Sequence, residues 1–163
     1  MVSSLEFVIS IILITLMTVV ALSDYGDPNP QQKKKGENTI MNDKIKIIVV
    51  EDNIVYCEFV CNLLAREGFR TVQAFRLSTA KKLLQQATEN DIIVSDLRLP
   101  EGDGIDLLRW MRKEGMRQPF IIMTDYAEVH TAVESIKLGS LDYIPKQLVE
   151  DKLVPLLRTI LKE

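Results

Sequence analysis

Ile45-Lys46-Ile47-Ile48-Val49-Val50-Glu51-Asp52-Asn53 decides how the rest of the chain reads. Apart from Lys46, the first six residues are apolar and β-branched, the pattern of a strand buried on both faces. The run stops at two adjacent acids. Beyond them Cys57, Val60, Cys61 and Leu64 fall at i, i+3, i+4 and i+7, one face of a helix that Gly68 closes.

The alternation continues towards the C-terminus. Arg70 to Phe75 reads as a second, weaker strand, and Ala80, Leu83, Leu84 and Ala87 as a second helix face. Ile92 to Ser95 is a third strand, and Ile105 to Glu114 a third helix stopped by Gly115. Phe120 to Met123 is a fourth strand. Val129, Ala132, Val133 and Ile136 mark a fourth helix, with Gly139 placed for a left-handed C-cap. Asp142 to Ile144 is a short fifth strand. Leu153, Leu156, Leu157 and Ile160 mark a last helix, with Pro155 expected in its first turn, where a missing N–H costs little. Five strands alternating with five helices predict an α/β fold: a doubly wound, five-stranded parallel sheet flanked by five helices. It occupies residues 44–163.

Upstream the character changes. Residues 23–43 are rich in Asp, Pro, Gln, Lys, Gly and Asn without apolar period, and read as a linker. Residues 1–22 are a hydrophobic segment, with Glu6 as their single charged side chain. A bilayer core takes roughly 20 apolar residues. Two readings stand. The segment is a transmembrane anchor, and Lys33, Lys34 and Lys35 beyond it place the remainder in the cytoplasm. Alternatively it is an upstream extension, and Met41 opens a soluble domain.

Composition narrows the function. Hydrophobic residues are 47% and charged residues 26%, which excludes a disordered chain. Acids outnumber bases 23 to 20, for a net charge of −3, so direct nucleic-acid binding through phosphates is disfavoured. Two cysteines and one histidine cannot build a disulfide scaffold or a Cys/His zinc site. Reduced thiols suit a cytosolic domain.

Doubly wound folds place their sites at the carboxyl ends of the strands. The residues there are Glu51 and Asp52, Asp96, Thr124 and Asp125, and Pro145 and Lys146. Clustered carboxylates repel unless a cation neutralises them. An all-oxygen cluster without His or Cys suits Mg²⁺. A hydroxyl and an ammonium beside such a site are the parts of phosphoryl transfer.

Val49-Val50-Glu51-Asp52-Asn53, Ser95-Asp96-Leu97-Arg98-Leu99-Pro100-Glu101-Gly102-Asp103-Gly104, Met123-Thr124 and Gly139-Ser140-Leu141-Asp142-Tyr143-Ile144-Pro145-Lys146 resemble the receiver domain of bacterial two-component response regulators, most of all the nitrogen-regulation type. The resemblance implies a flavodoxin-like receiver fold that catalyses only its own phosphorylation and dephosphorylation. It implies that Asp96 is the phosphoacceptor in a phosphorelay and that Glu51, Asp52, Asp96 and the carbonyl of Arg98 hold Mg²⁺. Thr124 would be the switch hydroxyl, Tyr143 the switch aromatic and Lys146 the phosphoryl-binding lysine. The donor would be a histidine kinase or phosphotransfer protein. Phosphorylation would bias the face of the fourth helix, fifth strand and fifth helix. With the sequence ending after the fifth helix, output is expected through a downstream protein reading that face or through the membrane anchor.

Two positions depart from the family. Asp125 stands where a small residue is usual, and Gln147 where a cis proline usually follows the lysine. Asp125 either repels small anionic donors or caps the fourth helix. The Lys146–Gln147 bond is expected to be trans. These departures leave a rival reading, a pseudo-receiver that binds partners without phosphorylation. A haloacid-dehalogenase-type phosphatase needs a second Asp two residues after the nucleophile, where Arg98 stands. Among other residues, Cys57 and Cys61 read as core packing, Trp110 and Met111 likewise, and His130 as partner-facing or solvated. Arg109, Arg112, Lys113 and Arg117 read as a solvated basic face.

Overall fold

A computed structural model describes residues 45–161 of the chain. The hydrophobic segment 1–22 and the linker 23–43 lie outside the described residues. Among the described residues no helix is long and apolar enough to cross a membrane.

Five parallel strands form one sheet: β1 (Lys46–Val50), β2 (Arg70–Ala74), β3 (Ile92–Asp96), β4 (Phe120–Thr124) and β5 (Asp142–Pro145), in the order β2-β1-β3-β4-β5. The helices are α1 (Ile54–Arg66), α2 (Leu77–Leu84), α3 (Gly104–Lys113), α4 (Val129–Lys137) and α5 (Val149–Ile160). This is the doubly wound fold predicted from the alternation, in the flavodoxin-like form that the resemblance implies. The chain steps from β1 outward to β2, then returns to the other side of β1 to lay down β3. That reversal opens a crevice beyond the carboxyl ends of β1 and β3, where such folds bind ligands.

Successive strand side chains point to opposite faces, so one β-branched run serves two cores. Ile47, Val49, Ile92, Val94, Ile121 and Met123 pack under α1 and α5, with Cys57, Cys61, Leu64, Leu153 and Leu157. Ile48, Val50, Ile93, Phe120 and Ile122 pack under α2 and α3, with Leu84, Leu107, Leu108 and Met111. Both cysteines are buried free thiols, as packing residues would be.

Two expectations need correction, those for Pro155 and Arg112. Val129, Ala132, Val133 and Ile136 lie in α4 as expected, with Val129, Val133 and Ile136 81%, 47% and 53% exposed. The second core is already closed by α2 and α3, and α4 reaches it through Leu138, just beyond its last turn. The buried residue of α4 is Ser135, whose hydroxyl is satisfied by the Ala132 carbonyl at 2.8 Å. Pro155 is not in the first turn of α5 but in its middle, because the helix begins at Val149, directly after a 3₁₀ turn over Lys146–Leu148. Glu150 and Asp151 in the opening turn favour that earlier start. Pro155 faces solvent, where water can serve the carbonyl it leaves without an amide. Arg112 is not a solvated basic residue. Its guanidinium donates to the carbonyls of Met116 at 3.0 Å, Leu138 at 3.1 Å and Gly139 at 2.8 Å, tying the ends of α3 and α4 together. Gly139 carries the left-handed φ of 82° expected of a C-cap, which lets the chain turn directly into that guanidinium.

Candidate functional site

Asp96 and Thr124 are the last residues of β3 and β4, one position deeper in the sheet than the apolar runs suggest. Glu51 follows β1, held by its amide N–H to the Ala74 carbonyl at 2.9 Å. Glu51 and Asp96 are buried, and Asp52 is exposed beside them. Carboxylate oxygens of all three lie within 4.8 Å of one another. The donor set is all oxygen, with no His or Cys in the cluster. The residues present therefore fit a hard divalent cation such as Mg²⁺.

Lys146 enters from β5. Its ammonium nitrogen lies 2.8 Å from Glu51 Oε2, an ion pair off the hydrogen-bond direction, and 3.1 Å from Asp96 Oδ2. A third carboxylate, Asp125, stands 3.4 Å away. Burial raises the pKa of Glu51 and of Asp96, and Lys146 offsets only part of that. Burial alone would lower the Lys146 ammonium, but Glu51 and Asp96 outweigh it and hold the group above its ordinary range. The site is an anionic pocket with one cation fixed in it.

Among the described residues all peptide bonds are trans, Lys146–Gln147 included. The loop is held instead by Tyr56, in the first turn of α1. Its hydroxyl donates to the Lys146 carbonyl at 3.2 Å, and the Lys146 ammonium lies 4.5 Å from its ring centre. Sequence reasoning passed over Tyr56. No local pattern signals a contact 90 residues along the chain; locally, the Tyr56 amide donates to the Asn53 side chain, which caps α1.

The Thr124 hydroxyl is turned to its own loop, accepting from the Tyr126 amide at 3.1 Å and donating to the Tyr126 carbonyl at 3.2 Å. Tyr143 is half-buried, and its hydroxyl meets the Thr131 hydroxyl of α4 at 2.8 Å. Asp125 does not cap α4, whose N-cap is Glu128. His130 is exposed on α4. Met111 is buried and Trp110 half-buried, as packing residues.

Arg98 lies in a two-strand antiparallel ladder, Arg98–Leu99 with Gly102–Asp103, that sequence reasoning did not foresee. Glu101 at its tip has a φ of 75° and accepts from the Ser78 amide at 3.0 Å, capping the otherwise uncapped start of α2 from a distant loop. Gly104 then opens α3 against the Asp96 backbone; a Cβ there would sit 2.4 Å from the Asp96 carbonyl oxygen. An open groove of about 620 Å³ runs from Asp52 past Arg98 and Pro100 to Asp106.

Known proteins share this fold and sequence pattern. The family model for the response regulator receiver domain matches residues 47–158. The transcriptional regulatory protein ZraR of Escherichia coli K12 is 37% identical over 114 residues, which are 69% of this chain and 25% of ZraR. The regulatory protein AtoC of the same organism is 38% identical over 108 residues, 66% of this chain and 23% of AtoC. The chain thus spans about a quarter of the length of these relatives. The receiver domain of the Francisella response regulator 1452 superposes with a TM-score of 0.67 at 30% identity, covering 72% of this chain and 96% of that one. A family match over most of the chain, a shared fold and shared sequence agree: this chain belongs to the response regulator receiver domain family.

Proposed function

We propose that Asp96 accepts a phosphoryl group from the phosphohistidine of a histidine kinase or phosphotransfer protein. The observation that carries this is the convergence of the Glu51, Asp52 and Asp96 carboxylates at the sheet's switch point, with the Lys146 ammonium against Glu51 and Asp96. An Asp96 carboxylate oxygen attacks phosphorus, the P–N bond to the donor's imidazole breaks, and the imidazole leaves with that electron pair. Glu51, Asp52 and Asp96, with the carbonyl of Arg98, would hold Mg²⁺. When bound, that ion supplies positive charge against the phosphoryl oxygens. Lys146 pairs with a phosphoryl oxygen from its present place beside Asp96. Thr124 gives up its contacts with Tyr126 to donate to another, and Tyr143 follows through its position between Tyr126 and α4.

The output surface is α4, β5 and α5. There Val129, Val133, Ile136 and Leu141 are exposed and ready to be covered by a downstream protein. In this reading the domain works in the cytoplasm and does not itself contact nucleic acid, whether or not residues 1–22 anchor it to a membrane.

The test is labelling by a kinase or small phosphodonor. Wild type should gain an acid-labile label that EDTA prevents and Mg²⁺ restores, and Asp96→Asn should gain none. Equal labelling of both would overturn Asp96 as the acceptor, whereas no label on wild type with any donor would favour the phosphorylation-independent binding module.

A further inference from the structure

Asp125 occupies an unusual position for an acid. It directly follows Thr124 at the end of β4, its side chain is 58% exposed, and its Oδ2 lies 3.4 Å from the Lys146 ammonium. That same nitrogen, on a side chain only 7% exposed, lies 3.1 Å from Asp96 Oδ2. The Asp125 and Asp96 carboxylates therefore stand no further apart than these two contacts laid end to end. Glu51 and Asp96 lie below the surface, and Asp125 sits at the mouth above the lysine they share.

We propose that Asp125 is a charge filter at the entrance to Asp96, selecting phosphodonors by their net charge. The inference rests on the proposed phosphorylation of Asp96. A donor bringing phosphorus to Asp96 also brings its own negative charge towards Lys146. Asp125 already holds part of that lysine's attraction and adds repulsion at the same place. The repulsion scales with donor charge. A dianionic small donor meets twice the penalty of a monoanionic one. A donor delivered by a docked protein offsets it with contacts made elsewhere on the domain.

Two small probes differ in this property. From acetyl phosphate, a dianion near neutral pH, Asp96 takes the phosphoryl group as the P–O bond breaks and acetate leaves with the electron pair. From phosphoramidate, a net monoanion with a protonated nitrogen, the P–N bond breaks and ammonia leaves with the electron pair. An exposed charge pair changes rate by about threefold per unit of donor charge. Asp125→Asn should then speed acetyl phosphate labelling by about ninefold and phosphoramidate labelling by about threefold.

The measurement is the initial labelling rate of wild type, Asp125→Asn and Asp125→Ala with each donor and Mg²⁺. It is made at about 0.1 M and about 1 M ionic strength, where the Debye length falls from roughly 10 Å to roughly 3 Å. Support is a ratio of acetyl phosphate to phosphoramidate rates that rises about threefold in both variants at low salt and returns towards the wild-type ratio at high salt. A change in loop packing alone moves both donors alike and leaves the ratio fixed. An unchanged ratio at both salts overturns the filter. Asp125→Asn, nearly isosteric, keeps the test valid if the alanine variant folds poorly. Failure of wild type to label at all would overturn the proposed function itself, a different result.

Discussion

The Tyr56 hydroxyl donates to the backbone carbonyl of Lys146, while the Lys146 ammonium lies over the Tyr56 ring. One residue of α1 thus grips both ends of the lysine that serves Asp96. Burial pushes the phenol up to about 12, so it stays a donor throughout the physiological range. Tyr56→Phe removes the hydrogen bond and keeps the ring. It should cost about 1 kcal/mol in denaturant unfolding. Tyr56→Leu also removes the face beneath the ammonium, adding about 0.5–2 kcal/mol, and should slow Asp96 labelling more than Tyr56→Phe does. Equal labelling rates in the two variants would dismiss the ring's part.

The acids of the site oppose folding. Burial raises the Glu51 and Asp96 pKa values above those of the unfolded chain. Stability from their protonated forms is therefore complete below the ordinary carboxylate range and is lost as pH rises through the raised values. At neutral pH without divalent metal, Asp96→Asn should melt about 3–6 °C above wild type. Added Mg²⁺ should raise the wild-type melting temperature by ligand binding and leave Asp52→Ala nearly unmoved. Thermal melts with and without EDTA read both.

Gly104 has no room for a side chain, since its Cβ would strike the Asp96 carbonyl oxygen. Gly104→Ala must push α3 away from β3. A loss of about 1–3 kcal/mol in chemical unfolding is expected, with labelling of Asp96 slowed because its backbone shifts.

Arg112 should matter more than its surface position suggests. Arg112→Ala strips a charged donor from three loop carbonyls and should cost about 1.5–3 kcal/mol. Arg112→Lys should restore little, because a single ammonium cannot reproduce the guanidinium fork. Matching unfolding curves for Lys and Arg at this position would contradict the assignment.

How much of this was legible from residues alone depends on the range of the interaction. Ile47 to Val50 announced a buried strand because both faces of the sheet demand β-branched residues there, and the Glu51–Asp52 stop marked its carboxyl end. The rim residues followed from topology. Contacts made across the chain left no local trace. Neither the Tyr56 grip on Lys146 nor the capping of α2 by Glu101 follows from any spacing. Arg112 looked like one base among several, and only the folded position of the α4 end adds the Leu138 and Gly139 carbonyls to the nearby one of Met116. Periodicity put Val129, Val133 and Ile136 on one helix face, yet a period cannot say whether anything covers that face. Pro155 misled for a similar reason: local preference favoured a first turn, while the 3₁₀ turn after β5 fixed where α5 begins.

The shallow seating of α4 has a kinetic consequence. A helix whose largest apolar residues already face water, and which buries only Ser135 along its length, surrenders little when it detaches. Its amides should exchange with deuterium through local opening, far faster than those of β1 or β3, whose release requires the whole sheet to come apart. Each such opening also frees Thr131 from Tyr143. This readily opened segment is also the one that touches the aromatic beside the carboxylate rim, and its exchange rate would register small changes at Asp96 that a melting curve averages away.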